Sequence, residues 1–329
     1  MQFTTPIQDF GRTFPIGADA KMLALGSCFA EVVGRRMADR RLDILLNPTG
    51  VLYNPRSLFN LLDIAGAVAR GDADALSLAA PTVFQAPDGR WYSWQASSLI
   101  SGATREECVD RLADALQQTA LRLSQMDILM LTFGTDHYYA LDAACAASPN
   151  LFSNGQCSML NAASAANPNL FSKGSMVAVA NCHKMPARMF REHIMDTTEI
   201  VTLFDHQLRQ LLELRPQLRV IVSVSPYRYL KYGLHGNQLS KANLLLATER
   251  IAQTFSEVSY FPAYEILLDE LRDYRYFAPD MVHPSEVAED YIWQLFCSHY
   301  MSDSLQQTIK ERERELRALR HRPLIRPES

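Results

Sequence analysis

Residues 21–41, KMLALGSCFAEVVGRRMADRR, decide the fold. Met22–Leu25 is a short apolar run, Gly26 breaks it, and Ala30, Val33 and Met37 then recur at helical spacing. Strand, sharp turn and helix is the pattern predicted. Gly26 supplies the backbone freedom a tight turn needs, and Ser27 suits the cap of the following helix. Cys28 then falls in the first helical turn, where unpaired N–H groups and the positive end of the helix dipole favour an anion. Two nucleophile-capable side chains therefore stand side by side at the carboxyl end of a first strand, the edge at which open α/β sheets bind ligands. The same pair also reads more plainly as a helix cap followed by a small buried hydrophobe.

Working outward, apolar strand-like runs at 22–25, 42–46, 127–133, 218–224 and 258–261 alternate with helical segments. That alternation predicts a doubly wound, parallel α/β sheet. Pro55 at a helix start with Asn54 before it, and the capping box Thr104-x-x-Glu107, mark two of the helices. Val83–Gln95 reads as a hairpin turning at Pro87-Asp88-Gly89, and Met176–Ala180 as another extended segment. Helices are expected over about 197–214 and 240–255, and a further one opens after Asp280-Met281-Val282-His283-Pro284. LDAACAASPNLFSNG at 141–155 recurs nearly residue for residue as LNAASAANPNLFSKG at 160–174. Two copies are too few for a solenoid, so 141–175 reads as an inserted, loop-rich elaboration at the rim of the site. Residues 1–300 then form the main domain, and 301–329 a mixed-charge helix with a frayed tail.

With 329 residues, 48% of them hydrophobic, the chain can bury a sizeable core. A formal net charge of −4 makes no electrostatic case for nucleic acid as a partner. No apolar run is long enough for a membrane span, and the opening MQFTTPIQDFGRTF lacks the layout of a signal peptide. Six irregularly spaced cysteines read as free thiols, which points to a cytoplasmic setting. Cys182, His183, His193 and His137 match no standard zinc spacing, and GSCFAEVVG is no phosphate-binding glycine loop, so neither a metal nor a cofactor is expected.

The second half of the chemistry lies far downstream. In Asp280-x-x-His283 a carboxylate can hold one ring nitrogen of the histidine and leave the other free as a base. Joined to the turn at 27–28, it completes a candidate set of nucleophile, His and Asp. Here the chain resembles a known family. Gly26-Ser27-Cys28-Phe29-Ala30 spells GSCFA, with NPTGVLYNP (47–55), FGT (133–135), NCHK (181–184), SVSPYR (223–228) and DMVHPSE (280–286) as further matches. GSCFA-domain proteins are similar to the SGNH (GDSL-like) hydrolases, and the resemblance spans roughly 20–300.

The resemblance implies a flavodoxin-like five-strand sheet and an acyl-transfer site at its carboxyl edge. Laid on the Gly-Asp-Ser motif without a gap, Gly26 matches Gly, Ser27 matches Asp, and Cys28 matches the nucleophilic Ser. The helix N-terminus and an imidazole at His283 would then lower the Cys28 thiol pKa. The Cys28 N–H and, by family position, the Gly50 N–H would hold the oxyanion. The family's third donor, an Asn in Gly-x-Asn-Asp, falls in Gly134-Thr135-Asp136, where an ionised aspartate cannot donate. Either Asp136 is protonated, or Asn54 or Asn181 substitutes, or the hole has two donors. His137 and His183 complete the expected lining. The activity expected is ester or thioester hydrolysis, or O-acyl transfer, on a small-molecule or carbohydrate acyl substrate. The alternative is a non-catalytic carbohydrate- or acyl-binding pseudoenzyme.

Overall fold

A computed structural model describes residues 5–8, 10–72, 74–141 and 178–320. The tandem repeat, apart from Leu141, lies outside the described residues, as does the tail after Arg320. Five parallel strands form the central sheet: β1 (Met22–Gly26), β2 (Ile44–Leu46), β6 (Ile128–Phe133), β10 (Arg219–Val224) and β11 (Val258–Phe261). Their spatial order is β11-β10-β6-β1-β2. Counting only these strands, that is the flavodoxin-like order 2-1-3-4-5, whose direction of winding reverses between β1 and β6. The β1–β6 register runs from Met22 opposite Ile128 to Gly26 opposite Thr132, so both strands end together.

Alternate residues of these strands face opposite layers. Leu23, Leu25, Leu129, Leu131, Val220 and Val222 pack with helices α2 (Pro55–Ala69), α3 (Arg105–Gln125), α4 (Thr197–Leu214) and α5 (Gly233–Thr254). Met22, Ala24, Ile128, Met130 and Ile221 pack with α1 (Cys28–Asp39), the short helical segment 263–271 and α6 (Glu286–Tyr300). Continuous apolar strands are what a parallel sheet covered on both faces requires. The C-terminal helix Asp303–Arg320 joins the second layer, with Leu305 and Ile309 buried beside Ile16 and Tyr300.

Two small antiparallel sheets elaborate this frame. β3 (Val83–Gln85) and β4 (Trp91–Ser93) form the expected hairpin and gain a third strand, β5 (Ser101–Gly102). The second sheet, β8-β7-β9, was only partly foreseen: Ala178–Val179 (β8) falls in the expected extended segment, while β7 (His137–Leu141) and β9 (Phe190–Ile194) carry no clear strand signal. It stands directly after β6, beside the carboxyl edge of the main sheet. No helix among the described residues is long and apolar enough to cross a membrane.

Candidate active site

The turn after β1 is fixed by two glycine demands and one asparagine. Gly26 has φ +145°, and a Cβ there would lie 2.4 Å from the Thr132 carbonyl oxygen, so only glycine lets β1 approach β6 this closely. Its N–H donates to Asn47 Oδ1 at 3.0 Å, while Asn47 Nδ2 donates to Glu31 Oε2 at 2.9 Å. Asn47 thus ties the strand end to the first turn of α1. Ser27 is buried and caps α1, its Oγ accepting from the Phe29 N–H at 3.4 Å. Cys28, half-buried, is the first residue of α1, where its N–H has no intrahelical acceptor. Its Sγ lies 3.7 Å from the Tyr53 hydroxyl.

The expected lowering of the Cys28 thiol pKa is not what the structure gives. Burial raises it; the hydrogen bond from Tyr53 opposes that, and the Glu31 carboxylate adds to it. The resting group is therefore a thiol rather than a preformed thiolate.

His283 stands on the same edge, on the loop before α6. His283 Nδ1 is 2.5 Å from Asp280 Oδ2, and Asp280 Oδ1 accepts the N–H groups of Val282 (2.9 Å) and His283 (3.0 Å). Those bonds hold the Asp280 carboxyl down at about 2, so it stays ionised and fixes the imidazole with Nε2 unpartnered among the described residues. The loop is seated on the chain leaving β10: Arg228 N–H donates to the Val282 carbonyl, and the Tyr227 ring meets the His283 ring edge-on at 4.7 Å. The half-buried Tyr227 hydroxyl donates to Glu289, and its pKa is raised by burial first and then by the Glu289 carboxylate.

The remaining expected residues divide. Gly134 and Thr135 both donate their N–H groups to the Tyr53 carbonyl, at 2.7 and 3.1 Å, which draws the 47–55 loop against the end of β6. Asn54 caps α2, its Oδ1 accepting the Ser57 N–H, so its Nδ2 is left as a donor. Asn181 is oriented the same way by the His183 N–H. Asp136 turns from the site toward α5: its N–H meets Ser240 Oγ and its Oδ2 accepts from Asn243 Nδ2. Of the alternatives for a third donor, Asn54 and Asn181 keep an NH2 group without a partner among the described residues, while Asp136 has Oδ2 bonded to Asn243 and Oδ1 buried without a hydrogen-bond partner there.

Two expectations change. The Gly50 N–H is taken by the Asn47 carbonyl at 2.7 Å, and its φ of +80° with Ser97 packed against it explains the glycine without an oxyanion role. His183 is a core residue. Its Nε2 meets the Ser93 carbonyl, its Nδ1 meets Ser98 Oγ, and the rings of Phe84, Tyr92 and Trp94 surround it. Burial lowers its pKa, and neither nitrogen is free for substrate.

Sequence reasoning missed three residues here. Tyr53 touches the Cys28 thiol, and Tyr227 meets the His283 ring edge-on. Lys241 on α5 is wholly buried and donates to the Gly134 carbonyl (2.7 Å) and the Ser225 carbonyl (2.8 Å), joining the ends of β6 and β10 beneath the site. Burial drives its pKa down to about 7 against the pull of Asp136. Beside Tyr53 opens a cavity of about 340 Å3, with Asn54, Thr135, His137, Asn181 and Cys182 in its wall.

The GSCFA family matches residues 21–159 and 169–296. The chain belongs to the GSCFA family. Among solved structures, a carbohydrate esterase family 3 protein from Talaromyces cellulolyticus is similar at 11% identity and a TM-score of 0.27. That likeness covers 58% of this chain and 65% of the esterase. No match is found among curated protein sequences.

Proposed function

We propose that this GSCFA-family protein is an acyl-transfer enzyme, hydrolysing or exchanging esters or thioesters of small molecules or carbohydrates through an acyl-enzyme on Cys28. The observation that carries the reading is the Asp280–His283 pair, seated on the chain leaving β10 at the edge where Cys28 follows β1. His283 Nε2 takes the thiol proton as Sγ attacks the acyl carbonyl. The oxyanion formed is held by the Cys28 N–H and Asn54 Nδ2. His283 then returns the proton to the departing alkoxide or thiolate. In the second half, His283 deprotonates water or an acceptor hydroxyl, which attacks the thioester, and the departing Cys28 sulfur takes that proton back from His283. Ser27 is buried and committed to its cap, which supports Cys28 as the attacking group.

The raised Cys28 thiol pKa favours one second reading, a non-catalytic acyl- or carbohydrate-binding protein. Mass-spectrometric mapping after incubation with 4-nitrophenyl acetate separates the two. The expected result is an acetyl group on Cys28, absent in Cys28→Ala, retained in Ser27→Ala and slowed in His283→Ala. An adduct on Ser27, or no adduct with the folded protein, overturns the mechanism.

A further inference from the structure

The cavity beside Tyr53 is defined by which polar atoms its wall has left over. Asn54 and Asn181 each orient Oδ1 onto a backbone N–H, which leaves each NH2 group as a donor without a partner among the described residues. The Tyr139 and Tyr232 hydroxyls both donate to Glu192 Oε1, which also meets His137 Nδ1 at 3.1 Å. The other ring nitrogen of His137 lies 3.6 Å from Asp136 Oδ1. Glu192 is exposed beside the cavity and is not among the described lining residues, and its Oε1 is shared by those donors. Lys231 does line the cavity, with its ammonium 4.2 Å from the centre of the Tyr139 ring and 3.9 Å from Glu192. Half its side chain remains exposed, so the ammonium can meet a ligand. Burial keeps the Cys182 thiol neutral, at about 11. Val179, Met185 and Phe190 supply the apolar remainder.

A wall with two amide NH2 groups and an ammonium, and with no carboxylate among its described lining residues, suits an acceptor-rich anion attached to a short apolar body. We propose that this cavity binds an anionic oxyacid group, carboxylate or phosphate, carried by the substrate, with Lys231 as the residue that selects for it. The proposal rests on the acyl-transfer reading only for its kinetic arm.

That arm compares 4-nitrophenyl acetate with the 4-nitrophenyl monoester of glutarate. The wild type is expected to prefer the anionic ester about tenfold in kcat/KM, the scale of one charge-assisted hydrogen bond. Lys231→Met should erase that ratio, and Lys231→Glu invert it. The binding arm needs no turnover: glutarate and inorganic phosphate are titrated separately into the full chain and the melting temperature followed, with glycerol as the neutral control. Stabilisation by either anion that Lys231→Met abolishes supports the site, and the more effective anion identifies the source of the charge. Absence of stabilisation by both anions, stabilisation that survives in Lys231→Met, or an unchanged ester ratio in that variant overturns the proposal. Failure of turnover with intact anion binding instead counts against the acyl-transfer reading alone.

Discussion

Lys241→Met removes a buried amino group while keeping most of the side-chain volume. In the native protein that group donates to the carbonyls of Gly134 and Ser225 and stands in the field of Asp136. Each carbonyl left bare costs about 1–3 kcal/mol. With two carbonyls bared, the expected loss where Lys241 is a neutral amine is about 2–6 kcal/mol. The loss should also depend on pH. Burial holds Lys241 at about 7 in the fold against 10.5 for an ordinary lysine, so between those values the unfolded chain carries the extra proton. Stability from this residue is therefore full above 10.5 and falls away as pH drops toward 7. A shift of that size amounts to about 5 kcal/mol over the window. Urea unfolding of both proteins at pH 6, 8 and 9.5 measures the difference, because every other titrating group is common to the pair. The destabilisation by Lys241→Met should grow with pH. A destabilisation below about 1 kcal/mol would mean the two carbonyls find water instead. One that is flat from pH 6 to 9.5 would mean Lys241 stays charged throughout, and the reasoning from burial fails.

Gly26→Ala forces a Cβ against the Thr132 backbone at a φ of +145°, and the chain should lose about 2–4 kcal/mol in urea unfolding. A loss within 0.5 kcal/mol, the scale of a surface substitution, would show that β1 and β6 approach less closely than described. Asp280→Asn keeps the turn but removes the charge that orients His283, and should lower kcat/KM for ester cleavage about a hundredfold. Because the Asp280 carboxyl is held near 2, any acid limb of the wild-type profile above pH 4 must belong to another group, and it should survive in the residual activity of Asp280→Asn. Its disappearance in that variant would reassign the limb to Asp280.

The central sheet was legible because its inner strands β1, β6 and β10 are buried on both faces and so write themselves as apolar runs. The caps at Asn54 and Thr104 are equally local: one side chain and an N–H three residues on. What escaped is what the chain assembles from distant parts. β9, FREHI, faces solvent along most of its length, and its partner β7 lies about fifty residues earlier, so no alternation betrays it. Lys241 reads as one more polar position on a helix, and only tertiary packing turns it inward beneath Gly134 and Ser225. Tyr53 reaches Cys28 because Gly134 and Thr135, some eighty residues downstream, pull its carbonyl into place. The Cys28 thiol shows the same division most sharply. Its place at a helix start was in the sequence and argued for a lowered pKa, yet the burial that raises it comes from the tertiary structure around the turn. The motif thus specifies which atom sits at the edge of the sheet, while the loops around it decide whether that atom attacks unaided. In the proposed chemistry a half-buried, protonated thiol beside Tyr53 needs His283 to become a nucleophile, which makes the DMVHPSE segment as necessary to that proposal as the GSCFA turn itself.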